Sequence, residues 1–126
     1  MELLYKDLTE KIIKAAYKVY NTLGYGFQEK EYLKALKIEL DILGLMYKVE
    51  LYSALMYEGK KIHGYYVDVV VEGKVALELK VASKVYQKHF FQLVQYLKNN
   101  NLKIGLIIVF SPMGVLVKRV ANIKSN

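Results

Sequence analysis

The sequence predicts an α/β sandwich, a mixed sheet flanked by helices, on three observations. Two N-terminal stretches repeat apolar residues with helical spacing, three extended segments follow with glycine turns between them, and a further helical stretch leads into an apolar hairpin. From about Leu4 to Leu23 the apolar positions Leu4, Leu8, Ile12, Ala15, Ala16, Val19 and Leu23 recur every third or fourth residue, and Gly24-Tyr25-Gly26 breaks the helix. A second helix is expected from about Phe27 to Leu43, stopped by Gly44. Extended segments cover Tyr47 to Tyr57, Ile62 to Val71 and Lys74 to Val81, with turns at Glu58-Gly59-Lys60 and at Gly73. Ser83 is placed to cap a third helix running to about Asn99, where three asparagines end it. The apolar strand Ile104 to Phe110 then passes through Ser111-Pro112-Met113-Gly114 to an edge strand, Val115 to Val120.

At 126 residues with no repeat, linker or low-complexity segment, the chain is expected to form one domain over 1–126. Apolar residues make up 54% and charged residues 25%, as in folded proteins. The opening Met1-Glu2-Leu3-Leu4-Tyr5-Lys6-Asp7 lacks the basic-then-apolar pattern of an export signal, and the longest apolar run, Ile104 to Phe110, is too short to span a bilayer. A cytoplasmic protein with no membrane partner is expected. Without cysteine there are no disulfides, zinc-thiolate sites or thiol nucleophiles, so a metal would be held by oxygen or by His63 or His89. The formal charge of +7 favours a polyanionic partner such as nucleic acid or anionic lipid, although lysines interleaved with apolar residues also describe solvated helix faces. A homodimer through the tyrosine-rich extended segments or the edge strand is a further arrangement the sequence allows.

Strand alternation sorts the second and third extended segments into faces. Odd positions (Val67, Val69, Val71, Val75, Leu77, Leu79, Val81) form an aliphatic surface that must be buried, while Asp68, Glu78 and Lys80 are even. A two-residue turn at Glu72-Gly73 would separate Asp68 from Glu78. A three-residue loop with Gly73 left-handed keeps odd opposite odd and brings the two carboxylates together, so burial of the aliphatic face selects that loop. Two nearby carboxylates repel unless a cation lies between them, and hard oxygen ligands suit Mg2+ or Mn2+. Lys80 could then orient a water or stabilise charge on a phosphate. The alternative is an exposed ion-pair cluster.

Glu29 stands in helical register with Tyr32, Leu33, Leu36, Leu40 and Leu43, which aims a carboxylate inward from the head of an apolar stripe. It is either a third acidic group for the metal or an ordinary first-turn glutamate favoured by the helix dipole. On the third helix, His89, Gln92 and Tyr96 form a polar line opposite an apolar stripe of Tyr86, Phe90, Leu93, Val94 and Leu97. Gln92 and Tyr96 could touch phosphate or a metal-bound water, or could be an exposed face. His89 is read as a surface histidine with phosphate contact as the alternative, and His63 has no apparent partner.

These residues together resemble a known pattern. Gly26, Glu29 and Tyr32 in "LGYGFQEKEYLKALKIEL" match the GxxExxY signature, "GYYVDVVVEGKVALELKV" looks like the block carrying that family's acidic and lysine positions, and "HFFQLVQYLKNNNLKIGLIIVF" is similar to its third block. The match runs over roughly residues 5 to 112, with the blocks in the same order. GxxExxY proteins resemble the PD-(D/E)xK nuclease superfamily. The resemblance therefore implies a restriction-endonuclease-like mixed β-sheet flanked by helices, with a Mg2+- or Mn2+-dependent phosphodiesterase site acting on nucleic acid, DNA foremost. It makes Asp68 the metal-binding aspartate, Glu78 the second acidic ligand, Lys80 the motif lysine that positions the attacking water, and Glu29 the assisting helix glutamate. Gln92 with Tyr96 matches a Q-x-x-x-Y pattern of RecB-like relatives. The chain departs from the pattern where Tyr66 and Val67 replace a frequent basic residue and where the proline of the superfamily name has no counterpart. The alternative is a non-catalytic nucleic-acid-binding or interaction protein that retains the fold.

Overall fold

The structure, a computed structural model, describes residues 4–122, so the expectation of one domain over 1–126 reaches past the described residues at both ends. The N-terminal periodicity becomes two helices, α1 (Lys6–Leu23) and α2 (Glu29–Ile42). α1 buries Ile12, Ala15, Ala16 and Val19, and α2 buries Tyr32, Leu36 and Leu40. Both start two residues later than apolar spacing alone suggests. Tyr5 is left-handed at φ 56°, which keeps Leu4 out of α1. Gln28 is extended and forms a capping box with Glu31, whose carboxylate accepts the Gln28 N–H at 2.8 Å, so α2 begins at Glu29 and not at Phe27.

The remaining elements are β1 (Tyr47–Tyr57), β2 (Lys60–Val71), β3 (Val75–Val81), α3 (Gln87–Asn99), β4 (Ile104–Ser111) and β5 (Gly114–Ala121). They build one five-stranded mixed sheet in the order β1-β2-β3-β4-β5, antiparallel except for the parallel β3–β4 pair that α3 connects. α1 and α2 cover one face over a core that includes Leu77, Leu79, Leu106 and Phe110. α3 covers the other over Val70, Ala76, Ile107 and Val109. β3 and β4 are thus buried on both sides, which explains their nearly continuous apolar sequence. This is a restriction-endonuclease-like α/β fold. No helix among the described residues is long and apolar enough to cross a membrane.

Three expectations change. Ser83 does not cap α3: the Ala82 N–H still bonds to the Phe110 carbonyl at 3.3 Å, so the chain stays extended past β3, and the cap position falls to Tyr86. Val67 leaves the aliphatic face of its odd-numbered neighbours and packs in the α3-side core, while Val69 stays on the other. The same exchange separates Val49 from Leu51 on β1. Between those two residues Glu50 is left-handed at φ 52°, and this local twist turns the outer part of the β1–β2 ribbon over. Finally, α3 buries His89, Leu93, Tyr96 and Leu97, so the inward face mixes the two stripes expected, and Phe90 and Phe91 remain exposed. Gly105 sets that rotation. A Cβ there would lie 2.8 Å from Leu93 Cδ2, so the missing side chain is the socket into which Leu93 fits.

Candidate active site

The site begins with the β2–β3 turn. Val71 pairs with Val75, Val70 with Ala76 and Val69 with Leu77, so the connection is the three-residue loop Glu72-Gly73-Lys74 that burial demanded. Gly73 is left-handed at φ 63°, and so is Glu72 at φ 55°. Glu72 is held there by a reciprocal pair of bonds to Met46, its N–H donating to the Met46 carbonyl at 2.8 Å and its carboxylate accepting the Met46 N–H at 2.7 Å.

Beyond Val69–Leu77 the two strands part. β2 continues along β1 as far as Lys60, whereas β3 continues along β4 to Val81. At this fork the Leu79 N–H has lost β2 as a ladder partner and is taken instead by the Asp68 carboxylate, Oδ2 accepting at 2.6 Å. Glu78 sits beside it with 5% exposure, and its Oε2 is 3.1 Å from Lys80 Nζ. The other Glu78 oxygen, Oε1, is buried with no hydrogen-bond partner. A solvated ion-pair cluster does not describe this arrangement, since an exposed carboxylate would leave no oxygen dry.

The Glu78 carboxyl is raised to about 7, first by burial and then by the Asp68 charge, with Lys80 opposing both. Asp68 is raised by burial as well, against the Leu79 N–H and Lys80, with the exposed Glu50 adding to the rise. Half-buried Glu29 is raised by desolvation, with Lys80 lowering and Asp68 raising it. For Lys80 burial acts downward, but Glu78, Glu29 and Asp68 together outweigh it, and the ammonium is held above its ordinary value. Three acidic groups from α2, β2 and β3 thus share one electrostatic neighbourhood around a single ammonium. Among the described residues, however, no three His, Asp or Glu side chains are close enough together to form a metal-ligand set. One buried carboxylate with an unpartnered oxygen, Glu78, and one partly buried carboxylate, Asp68, fit a small hard cation that keeps much of its water. Glu50 was not singled out from the sequence; it occupies an ordinary even position in a strand, and only its backbone twist brings its charge to bear on Asp68.

Glu29 owes its place to Tyr32. The Tyr32 ring is fully buried and stacks on Phe110 at 4.2 Å and 4°, while its hydroxyl donates to the Gly24 carbonyl at 2.6 Å. That bond ties the loop before α2 to the helix, three residues from Glu29. Tyr32→Phe keeps the stack and removes the bond, and is expected to cost about 1 kcal/mol in urea denaturation.

On α3 the expected polar line divides. Gln92 is exposed. Tyr96 is 4% exposed, inside the second core, where burial raises its hydroxyl. His89 is no surface histidine: it is 7% exposed, lies edge-on to Tyr86 at 5.6 Å, and has an Nδ1 without a partner. Burial lowers its pKa first, and the charges of Lys80 and Lys88 lower it further, all favouring the neutral ring. His63 is exposed, with its ring 5.6 Å from that of Tyr65.

Among solved structures, one titled "Crystal structure of SSO0001" matches with a TM-score of 0.51 over 94% of this chain and 79% of that one; at 15% identity the likeness concerns the fold. No curated protein matches the chain. A family model described as the PD-(D/E)XK nuclease superfamily matches residues 6–120, which takes in α1, the carboxylate fork, α3 and nearly all of the closing hairpin. The chain belongs to the PD-(D/E)XK nuclease superfamily, whose members are nucleases that generally use divalent metal ions.

Proposed function

We propose that the protein is a Mg2+-dependent deoxyribonuclease of the GxxExxY group, with Mn2+ as an effective substitute. The observation that carries this reading is the dry Glu78 oxygen beside Asp68, in a fork where an ammonium is already present and insufficient to satisfy it. Asp68 and Glu78 would hold the ion, which when bound supplies charge neutralisation for a phosphate in displacement. Lys80, held by Glu78, positions the attacking water and faces the developing negative charge. Glu29, within reach of the Lys80 charge, orders water on the α2 side. Lysines around the fork bind the phosphate backbone without reading bases, so affinity falls steeply with salt.

The test is incubation with labelled duplex, branched and single-stranded DNA, with Mg2+ or with a chelator. Metal-dependent cleavage that Glu78→Ala abolishes is expected. Equal cleavage by both proteins removes the assignment, and salt-sensitive DNA binding that is indifferent to metal, without turnover, identifies a binding protein that kept the fold.

A further inference from the structure

The outer β1–β2 ribbon has one covered face and one open face. The end of α3 covers the first: the Asn99 amide donates to Ser53 Oγ at 3.3 Å, to the Ala54 carbonyl at 3.3 Å and to the Tyr65 hydroxyl at 2.9 Å. The second presents Tyr52 and Tyr66, cross-strand partners that are 45% and 62% exposed. Their rings meet edge to face at 5.0 Å and 61°. Gly64 lets the Tyr52 ring lie across the ribbon, because a Cβ there would sit 2.7 Å from Tyr52 Cε1. Lys61 also holds the ring, its Nζ donating to the Tyr52 hydroxyl at 2.9 Å and lying 5.4 Å from the ring centroid.

A cross-strand aromatic pair stabilises a ribbon, but that role does not require an open ring face with a lysine bound alongside. Tyr66 is two residues from Asp68 on β2, about 7 Å by strand rise. Aromatic faces flanked by cations, in a protein of charge +7, complement a polyanion whose bases are free to stack. Paired bases inside a duplex have both faces occupied by their neighbours; unpaired bases do not. We propose that Tyr66 and Tyr52 form a base-stacking platform next to the carboxylate fork, which selects single-stranded polynucleotide, or the unpaired arm of a branched one, as substrate. This rests on the nuclease reading for the chemistry that follows binding, but not for the binding itself.

Binding is therefore measured in chelator, by fluorescence anisotropy, with labelled strands of about 16 nucleotides in DNA and RNA form and the blunt duplex of the same sequence. The wild type is expected to prefer the single strand. Tyr66→Ala should weaken single-strand binding about tenfold or more and leave the duplex unchanged, whereas Tyr66→Phe, which keeps the ring, stays within about twofold. Both positions are exposed, and unchanged thermal melts establish that the variants are folded. Tyr66→Ala binding single strands like the wild type, or a wild type that prefers duplex, overturns the proposal. So does light scattering that reveals a dimer dispersed by Tyr66→Ala with no change in strand affinity, since the tyrosines would then serve a second copy. Tyrosine-dependent strand binding without Glu78-dependent cleavage would sink the hydrolytic reading and leave the platform standing, so the two failures are distinguishable.

Discussion

Glu78→Gln is expected to stabilise the metal-free protein at pH 8 while removing its response to Mg2+. Glu78 ionises at about 7 in the folded chain, against an ordinary value of 4.5. A carboxyl raised on folding favours the native state in its protonated form. Its contribution is fully present below pH 4.5 and is lost as pH rises through about 7. At roughly 1.4 kcal/mol per pH unit, the loss amounts to about 3 kcal/mol by pH 8. Glutamine has the shape of the protonated acid and carries no charge, so it escapes that loss, less whatever the Lys80 ion pair supplied. Denaturant unfolding in chelator should show wild type and variant alike near pH 4.5 and separated in favour of the variant by about 1 to 3 kcal/mol at pH 8. A separation that does not grow with pH would mean that Glu78 ionises normally. With Mg2+ added, the wild type alone should gain stability, because only its carboxylate brings a negative charge to the cation.

Asp68→Asn is expected to reduce Mg2+-dependent cleavage by about a thousandfold or more, as removal of a charge at a metal-assisted centre does. The amide oxygen can still accept the Leu79 N–H that Asp68 holds at 2.6 Å, so the fork should keep its shape. The same substitution carries a second readout. The Asp68 charge helps to raise Glu78, so its removal should move the Glu78 titration downward and shift the pH-stability profile to lower pH. A cleavage loss with an unmoved profile would mean that the two carboxylates do not share a site. An unmoved cleavage rate would exclude Asp68 from the chemistry.

Much of this was legible in the sequence because it follows from periodicity. Odd-numbered aliphatics on both sides of Gly73 fixed the loop length, and that loop, together with the Leu79 N–H that Asp68 accepts past the last ladder pair, brings Asp68 and Glu78 together. The Glu29 register with Tyr32 and Leu36 identified a carboxylate entering from the helix side. What stayed hidden depends on single backbone angles and on shape. The left-handed Glu50 reverses the outer ribbon and sends Val67 to the opposite core, and no pattern of apolar residues announces that angle. The burial of His89 and the exposure of Phe90 and Phe91 run against hydrophobicity, because the roll of α3 is set by the fit of Leu93 over Gly105. Ser83 looked like a cap, yet one more ladder bond from Ala82 delayed the helix.

The parting of β2 from β3 has a mechanical consequence. Three residue pairs anchor the shared root, and past it the outer hairpin leaves β3 and is fastened to the body by the end of α3 instead. Its tip, the left-handed Glu58-Gly59 bend, is remote from every charged group of the fork. Length and chemistry at that tip can therefore be altered without disturbing the carboxylates of the fork.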